Sequence, residues 1–367
     1  MNFNYRFDVN MLESLVGGLS VLDIHNLKIQ NLDQAHSFIK TYGYDINKAA
    51  DEKLLWNYYR RAVTYINTEL LNEEESIPES LADPNKLQSI ANLLIYASVK
   101  DQRENSIQRW ACAILKVMHV LVHLDNDLFN QYSTKIQDQI LEPIKKYLVS
   151  DSVSGTYLGN PSDPESIPLK KFIVKPYKSS TSSITKLLAK PDAVAFTILD
   201  KIGVRFVTKH LFDVFRVMRF MMDHHIISFP HNIPDQSNNT LYPTNLFLEV
   251  MESFPQGSEL TVNEIDKILD QKLQEAKERA MYREKLNLFS SKNYSFVKFI
   301  TRRLIRIELP QEGNEKNKEL NFFYPYEVQI VDYETYLKNL SGEASHEEYK
   351  KRQRQRARLR VLGHIKC

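Results

Sequence analysis

The sequence predicts an α+β protein in which an all-helical N-terminal domain, residues 1–150, precedes a mixed sheet with flanking helices. Up to about residue 148, apolar residues recur with the period of a helix, as in "DEKLLWNYYRRAVTYINTELL". Beyond residue 170, β-branched and aromatic runs such as "AVAFTILDKIGVRFVT" alternate with helical ones. The chain of 367 residues is long enough for two domains with separate cores.

A segment poor in apolar residues separates the two regions. The stretch "SDSVSGTYLGNPSDPESIP" is rich in the glycines, serines and prolines that favour turns and loops. We therefore predict a linker over residues 151–169 and a second domain over residues 170–367.

The second domain begins its regular structure with a strand and a packed helix. In "HLFDVFRVMRFMM" the helical period places five apolar residues on one face: Leu211, Val214, Phe215, Met218 and Met222. An inserted helical element is predicted at about 242–285, where "VNEIDKILDQKLQEAKERAMYREKL" is charged and amphipathic. The strand-like segments "YSFVKFITRRLIRIEL" and "FFYPYEVQIVD" flank the polar "PQEGNEKNKE", which predicts a hairpin. The chain ends in a basic tail, "YKKRQRQRARLRVLG".

Composition excludes several classes of protein. Lys and Arg number 48 against 46 Asp and Glu, so the net charge of +2 does not by itself indicate a nucleic-acid binder. Two cysteines, Cys112 and Cys367, cannot make a disulfide framework. No basic start followed by an apolar run opens the chain, and no uninterrupted apolar run is long enough to span a bilayer. We expect a cytoplasmic protein that does not enter a membrane.

Two polar stretches of the second domain have residues suited to phosphate chemistry. In "KPYKSSTSSITKLL", serines open a helix among lysines, which suits a phosphate group but also an ordinary capped helix. In "ILDKIGVRF", Asp200 could hold magnesium and Arg205 could pair with phosphate oxygens. The alternative is a strand-end aspartate and a surface arginine.

Two further stretches place polar or aromatic side chains on the predicted hairpin. Tyr294 stands at the entrance to its first strand, where it could stack on a base or simply pack. On the second strand, Glu327 and Gln329 share one face. That face is either solvated or functional, since a carboxylate is costly in a core.

Taken in order, these stretches resemble the synthetase domain of the RelA/SpoT family, the nucleotidyltransferase-like enzymes that make (p)ppGpp. The resemblance covers roughly residues 170–352, and its most specific motifs are "EVQI" at 327–330 and "GEASHEEYK" at 342–350. It implies a mixed, five-stranded nucleotidyltransferase-like sheet. The implied activity is pyrophosphoryl transfer from ATP to the 3′-hydroxyl of GDP or GTP, with Mg²⁺ as cofactor.

The resemblance also implies roles for individual residues. The catalytic residues would be Glu327, Asp200 and Arg205, with Asp200 and Glu327 holding the metal. The nucleotide-binding residues would be Lys175, Lys178, Ser182, Lys186, Tyr294, Lys298, Gln329 and His346. Among them Tyr294 would stack on the acceptor guanine, and the basic segment around Lys178 would hold the ATP phosphates.

Three departures from the family pattern leave other functions open. Pro176 replaces an arginine, Lys298 replaces a histidine, and Val331 and Asp332 replace the Arg-Thr that normally follows the Glu-Val-Gln-Ile motif. One alternative acceptor is an RNA 3′ end, of tRNA or another RNA, bound through the basic tail. Another alternative is an inactive relative that only binds nucleotide or RNA.

The N-terminal half has one pattern compatible with a metal. His123 follows His119 by one helical turn, and Asp127 follows His123 by one more. The adjacent His-Asp pair of the hydrolase domain in long RelA/SpoT proteins is absent from this segment, so we predict no hydrolase half. The apolar neighbours of the two histidines favour a buried helix.

Overall fold

The computed structural model describes residues 9–99, 105–126, 128–151, 155–175, 180–190, 198–255, 257–276, 279–284, 294–309, 318–341 and 346–363. Within these ranges the chain forms 14 helices and one seven-stranded mixed sheet, which confirms the α+β class. The sheet has two strands more than the five-stranded type that was predicted.

Helices make up the N-terminal part of the chain, as the 3.6-residue period predicts. They are α1 (Val9–Leu15), α2 (Leu32–Tyr42), α3 (Ala49–Tyr65), α4 (Glu79–Ala82), α5 (Pro84–Leu87), α6 (Ile90–Tyr96), α7 (Asn105–Asp125) and α8 (Leu128–Lys145). The later helices are α9 (Ser180–Ala189), α10 (Leu211–Asp223), α11 (Thr244–Ser253), α12 (Val262–Glu275), α13 (Tyr333–Asn339) and α14 (His346–Leu362). Both α11 and α12 lie where the inserted helical element was predicted.

The seven strands are β1 (Leu148–Asp151), β2 (Gly155–Leu158), β3 (Ile167–Lys175), β4 (Gly203–Thr208), β5 (Asn238–Asn239), β6 (Val297–Leu309) and β7 (Lys318–Asp332). Their order across the sheet is β1-β2-β3-β4-β7-β6-β5. Strands β4 and β7 are parallel, and the other neighbours are antiparallel. The β6–β7 pair is the hairpin that the alternating pattern predicts.

The chain divides into two compact units, each made of segments that are not continuous in the sequence. Unit 1 comprises Met1–Asn130, Ser179–Ile198 and Lys350–Cys367, and unit 2 comprises Gln131–Lys178 and Leu199–Tyr349. The predicted linker, 151–169, contains β2 and the start of β3. Short polar strands at the edge of a sheet contain few apolar residues, so their composition is that of a loop.

In unit 2, α10 packs against β3, β4 and β7. The buried face of the helix includes Val214, Val217 and Met221, each without exposed surface. Met222, which was predicted on this face, is 45% exposed. The buried face is therefore rotated from the predicted one, because Leu211 and Phe215 pack instead against the cluster formed by α11 and α12.

In unit 1, α7 is long and apolar enough to cross a membrane by length and composition, over Ser106–Asp125 with a mean hydropathy of 1.2. However, 72% of its most apolar window is buried within the protein. Such burial is typical of the central helix of a packed core.

The basic helix α14 is bound to acidic groups of unit 1. Arg354 pairs with Glu69 at 3.0 Å, and Arg358 pairs with Glu75. The Arg360 guanidinium contacts Asp23 through Nε at 2.6 Å and donates from Nη1 to the carbonyl oxygen of Lys190 at 2.9 Å. These contacts hold the basic tail in place within unit 1.

Candidate functional site

The register of four strands brings the predicted residues of unit 2 onto one face of the sheet. Lys175 of β3 is opposite Gly203 of β4, which is opposite Glu327 of β7. Two residues farther along β4 and β7, Arg205 is opposite Gln329, which is opposite Lys298 of β6. Side chains two residues apart on a strand share a face, so both rows point to the same side.

Glu327 is buried, with 4% of its surface exposed, and it lies between two lysines. Its Oε1 accepts a hydrogen bond from the Lys175 ammonium. Its Oε2 is 3.6 Å from Lys298 Nζ. The carboxylate is therefore buried in an ion pair, while the functional role of this face remains a prediction.

The two lysines determine the protonation state of this carboxyl. Burial alone would raise the pKa of Glu327, and the nearby Asp200 adds to that effect. Lys175 and Lys298 outweigh both and hold the pKa below its ordinary value. Glu327 is therefore an ionised carboxylate at neutral pH, although little of its surface is exposed.

Gly203 makes the contact between Lys175 and Glu327 geometrically possible. The two residues are separated by a strand, and the lysine side chain crosses that strand above Gly203. A Cβ atom at position 203 would lie 2.8 Å from Lys175 Cδ. Sequence reasoning assigned no role to this glycine, and only the pairing of β3 with β4 identifies one.

The second row contains a hydrogen-bonded group of three polar side chains. Arg205 Nε donates to Gln329 Oε1 at 2.9 Å. The Tyr294 hydroxyl oxygen accepts from Arg205 Nη2 at 3.3 Å and from Gln329 Nε2 at 3.5 Å. The Arg205 guanidinium carbon is also 6.0 Å from the centre of the Tyr336 ring, a contact that the sequence did not predict.

The departure after the Glu-Val-Gln-Ile motif has a structural explanation. Val331 is buried in an apolar cluster with Val207 and Tyr336. Asp332 caps α13, because its carboxylate accepts from the Thr335 amide at 2.9 Å. At these two positions the chain uses its side chains for packing and helix capping.

Three further predicted residues, Ser182, Lys186 and His346, lie on helices and not on these strands. Ser182 and Lys186 lie on α9, which belongs to unit 1. In that unit the helix is held by the Tyr65 hydroxyl, which is 2.7 Å from Thr185 Oγ1, and by the Arg360 contact to Lys190. Lys178 and Pro176 lie outside the described residues, and His346 is the first residue of α14.

The histidine pattern of the N-terminal half forms no metal centre in the described part of the chain. His119 Nδ1 is 2.7 Å from the Tyr42 hydroxyl, and the His119 and His123 rings are 4.4 Å apart. Asp127 lies outside the described residues. Across the ranges that the structure describes, no group of three or more His, Cys, Asp or Glu is arranged to hold a metal ion.

No protein-family model matches the chain, and a search of curated proteins finds no significant match. The resemblance to the RelA/SpoT synthetase domain thus depends on the sequence motifs. It remains a prediction.

Proposed function

We propose that the protein transfers the β,γ-pyrophosphoryl group of ATP to the 3′-hydroxyl of a guanine nucleotide and releases AMP, with unit 2 acting as a nucleotidyltransferase-like domain. One observation carries this proposal: a buried, ionised carboxylate, Glu327, lies between Lys175 and Lys298 on one sheet face. The three residues come from separate strands, and two of them belong to motifs that resemble the synthetase family.

The charges on this face suit a reaction between two anions. Pyrophosphoryl transfer needs cations that offset phosphate charge and a base close to the attacking hydroxyl. When phosphate groups bind, the lysines can exchange their contacts with Glu327 for contacts with phosphate oxygens. Glu327 is then free to accept the proton of the 3′-hydroxyl.

A magnesium ion fits the donors present. Asp200 acts on the pKa of Glu327, so the two carboxylates are within electrostatic reach of each other. Mg²⁺ prefers one or two carboxylates and takes its other ligands from substrate phosphates and water. Asp200 and Glu327 would hold it, and the bound ion would offset phosphate charge and favour the ionised hydroxyl.

The acceptor would bind beside Arg205 and Tyr294. The tyrosine offers a ring that can stack on a base, while its hydroxyl is held by Arg205 and Gln329. Lys178, Ser182 and Lys186 remain predicted ATP-phosphate contacts, and His346 remains a predicted nucleotide-binding residue that supports the site; the basis for all four is the sequence resemblance alone.

A second candidate is nucleotide binding without transfer. The observation that favours it is the position of Val331, which lies in an apolar cluster where the family pattern has a cation. A site with fewer cations offsets less of the charge that develops on the transferred group.

The test is incubation of the protein with γ-labelled ATP and magnesium, alone and with GDP or GTP, followed by chromatography. We expect label on the guanine nucleotide and a loss of at least about 100-fold in Glu327→Gln, the usual contribution of a general base. Glu319→Gln is the matched control, because Glu319 is exposed at the other end of β7 on the same face. Bound ATP without transfer would support the second candidate, and equal activity in Glu327→Gln would exclude Glu327 from the chemistry.

A further inference from the structure

The sheet face that bears Glu327 continues along the β6–β7 hairpin as an exposed surface of aromatic and basic residues. We call this surface the hairpin platform; its residues are His231, Arg302, Leu304, Arg306 and Phe323. Phe323 is 49% exposed and Leu304 is 38% exposed. Large apolar side chains that remain open beside arginines are typical of interaction surfaces.

The register places the platform and the candidate site on the same side of the sheet. The pairing of β6 with β7 runs from Val297↔Ile330 to Leu309↔Lys318 without a shift. Arg302, Leu304 and Arg306 therefore share a face with Lys298, and Phe323 shares a face with Glu327. The opposite face is closed, since Ile305, Ile307 and Tyr324 are buried there.

Contacts within unit 2 hold the platform in place. The Arg302 guanidinium carbon is 5.8 Å from the centre of the Phe323 ring, and the His231 ring is 5.0 Å from it, edge to face. His231 is positioned by the chain that follows it, because the Ile233 amide donates to the Ile300 carbonyl at 2.8 Å. The Gln139 side chain bonds both backbone polar groups of Arg306, which supports the outer edge of β6.

We propose that the hairpin platform binds a single strand of nucleic acid. Exposed rings beside arginines match the two components of such a ligand, since aromatic rings stack on bases and cations hold phosphates. Lys298, Arg302 and Arg306 follow one another along β6 at intervals of four residues, each interval being about 13 Å of extended strand. They form a line of positive charge that follows the hairpin.

The charges at the ends of this line define its extent. Beyond Arg306 the same face has Glu308 and Glu319, which are opposite each other and exposed, so a polyanion is repelled there. At the other end the line reaches Lys298 and Glu327.

Binding of a fluorescent single-stranded oligouridylate to the full chain, measured by anisotropy over a range of salt concentrations, tests this inference. We expect Phe323→Ala to weaken binding about five- to 150-fold, the range of one base–aromatic stack. Arg302→Ala should reduce the slope of log affinity against log salt by about 0.7, the contribution of one phosphate contact to a single strand. Phe38→Ala is the matched control, because Phe38 is 44% exposed on α2 and should not matter.

Three results would overturn the inference: no binding by the unsubstituted protein at low salt, equal binding by Phe323→Ala, or equal competition by heparin, which has charge but no bases. Thermal unfolding of each variant identifies changes that act through the fold, and Phe323→Tyr, which keeps the ring, should retain binding. Transfer to GDP is measured on the same preparation. RNA binding without transfer would preserve this inference and contradict the proposed function, and transfer without RNA binding would do the reverse.

Discussion

Lys175 reaches Glu327 across an intervening strand, and Gly203 is the residue over which it passes. The four-carbon stem of Lys175 lies over the intervening strand at a position where the residue beneath has no side chain. The glycine is therefore part of the site, although it has no functional group.

Gly203→Ala should separate the lysine from the carboxylate. The new Cβ would lie 2.8 Å from Lys175 Cδ; the flexible stem can move away, but the buried Glu327 carboxylate then loses one of its two partners, so we expect a loss of about 1–3 kcal/mol of stability. The transfer rate should fall by at least about tenfold, since roughly 1.4 kcal/mol of charge stabilisation corresponds to that factor. Steady-state kinetics and chemical denaturation measure the two effects.

A double-mutant cycle with Lys175→Met is the control. If alanine acts by displacing the lysine, it should have little further effect in the Lys175→Met background. Full additivity of the two substitutions would contradict the role assigned to Gly203.

Removing the charge of Glu327 should destabilise the protein in a pH-dependent manner. In Glu327→Gln, the ammonium groups of Lys175 and Lys298 lose their charged partner. We expect the free energy of unfolding to fall by about 2 kcal/mol. This is less than the ~3–5 kcal/mol for breaking a fully buried pair, because the lysines are partly exposed. The pKa of Glu327 is held below its ordinary value in the folded protein. Its stabilisation is thus present above that ordinary value and is lost as the pH falls through the folded-state pKa.

Urea unfolding of the unsubstituted protein and of Glu327→Gln, at pH values from 7 downward, tests this. The difference in the free energy of unfolding should shrink with acidification, while Glu319→Gln should differ little at any pH, since its carboxylate is exposed. A difference that is constant with pH would show that the carboxylate is not stabilised by charge.

Tyr294 is expected to act through its ring more than through its hydroxyl. Its two hydrogen bonds are long, at 3.3 Å and 3.5 Å, so Tyr294→Phe should change the KM for the acceptor by less than about fivefold. Tyr294→Ala should raise that KM by about tenfold or more and leave the KM for ATP nearly unchanged, because the lost interaction is a base stack. The opposite order of effects on the two substrates would contradict the acceptor assignment.

The alternation of apolar and polar residues predicted those elements that have one apolar face and one polar face. The hairpin of β6 and β7 was visible because its apolar and polar residues alternate over many positions. The pairing of β4 with β7 was not visible, since Gly203 and Glu327 are 124 positions apart in the chain and no local pattern encodes a parallel neighbour. Likewise, nothing in its own sequence shows that α9 belongs to unit 1, because Thr185 and Lys190 are held by Tyr65 and Arg360.

Arg360 is expected to be important for the stability of unit 1. Its side chain is 8% exposed, pairs with Asp23 and donates to the Lys190 carbonyl. The hydrogen bond from Arg360 is the main cause of the lowered pKa of Asp23, against an opposing effect of burial. Arg360→Ala should cost about 2–4 kcal/mol of the free energy of unfolding, because a carboxylate and helix-end carbonyls lose a buried partner.

Chemical denaturation at neutral pH measures this cost. Arg356→Ala is the matched control on the same helix, since Arg356 is exposed, and it should change stability by less than about 0.5 kcal/mol. Equal effects of the two substitutions would show that the contact with Asp23 adds nothing to stability.

His119 should make unit 1 sensitive to mild acid. Burial, and then the neighbouring His123, lower the pKa of His119 to about 4. In the unfolded chain the ring titrates near its ordinary value of about 6.5. Between these values the unfolded state binds more protons than the folded state, so stability falls as the pH falls, by up to about 1.4 kcal/mol per pH unit.

We expect His119→Gln to reduce this slope between pH 6.5 and 4, measured by urea unfolding at closely spaced pH values. Glutamine can still bond the Tyr42 hydroxyl, so the packing of the site is largely kept. His36→Gln on α2 controls for the loss of a histidine elsewhere in the same unit, and an unchanged slope in His119→Gln would contradict the neutral state of this half-buried ring.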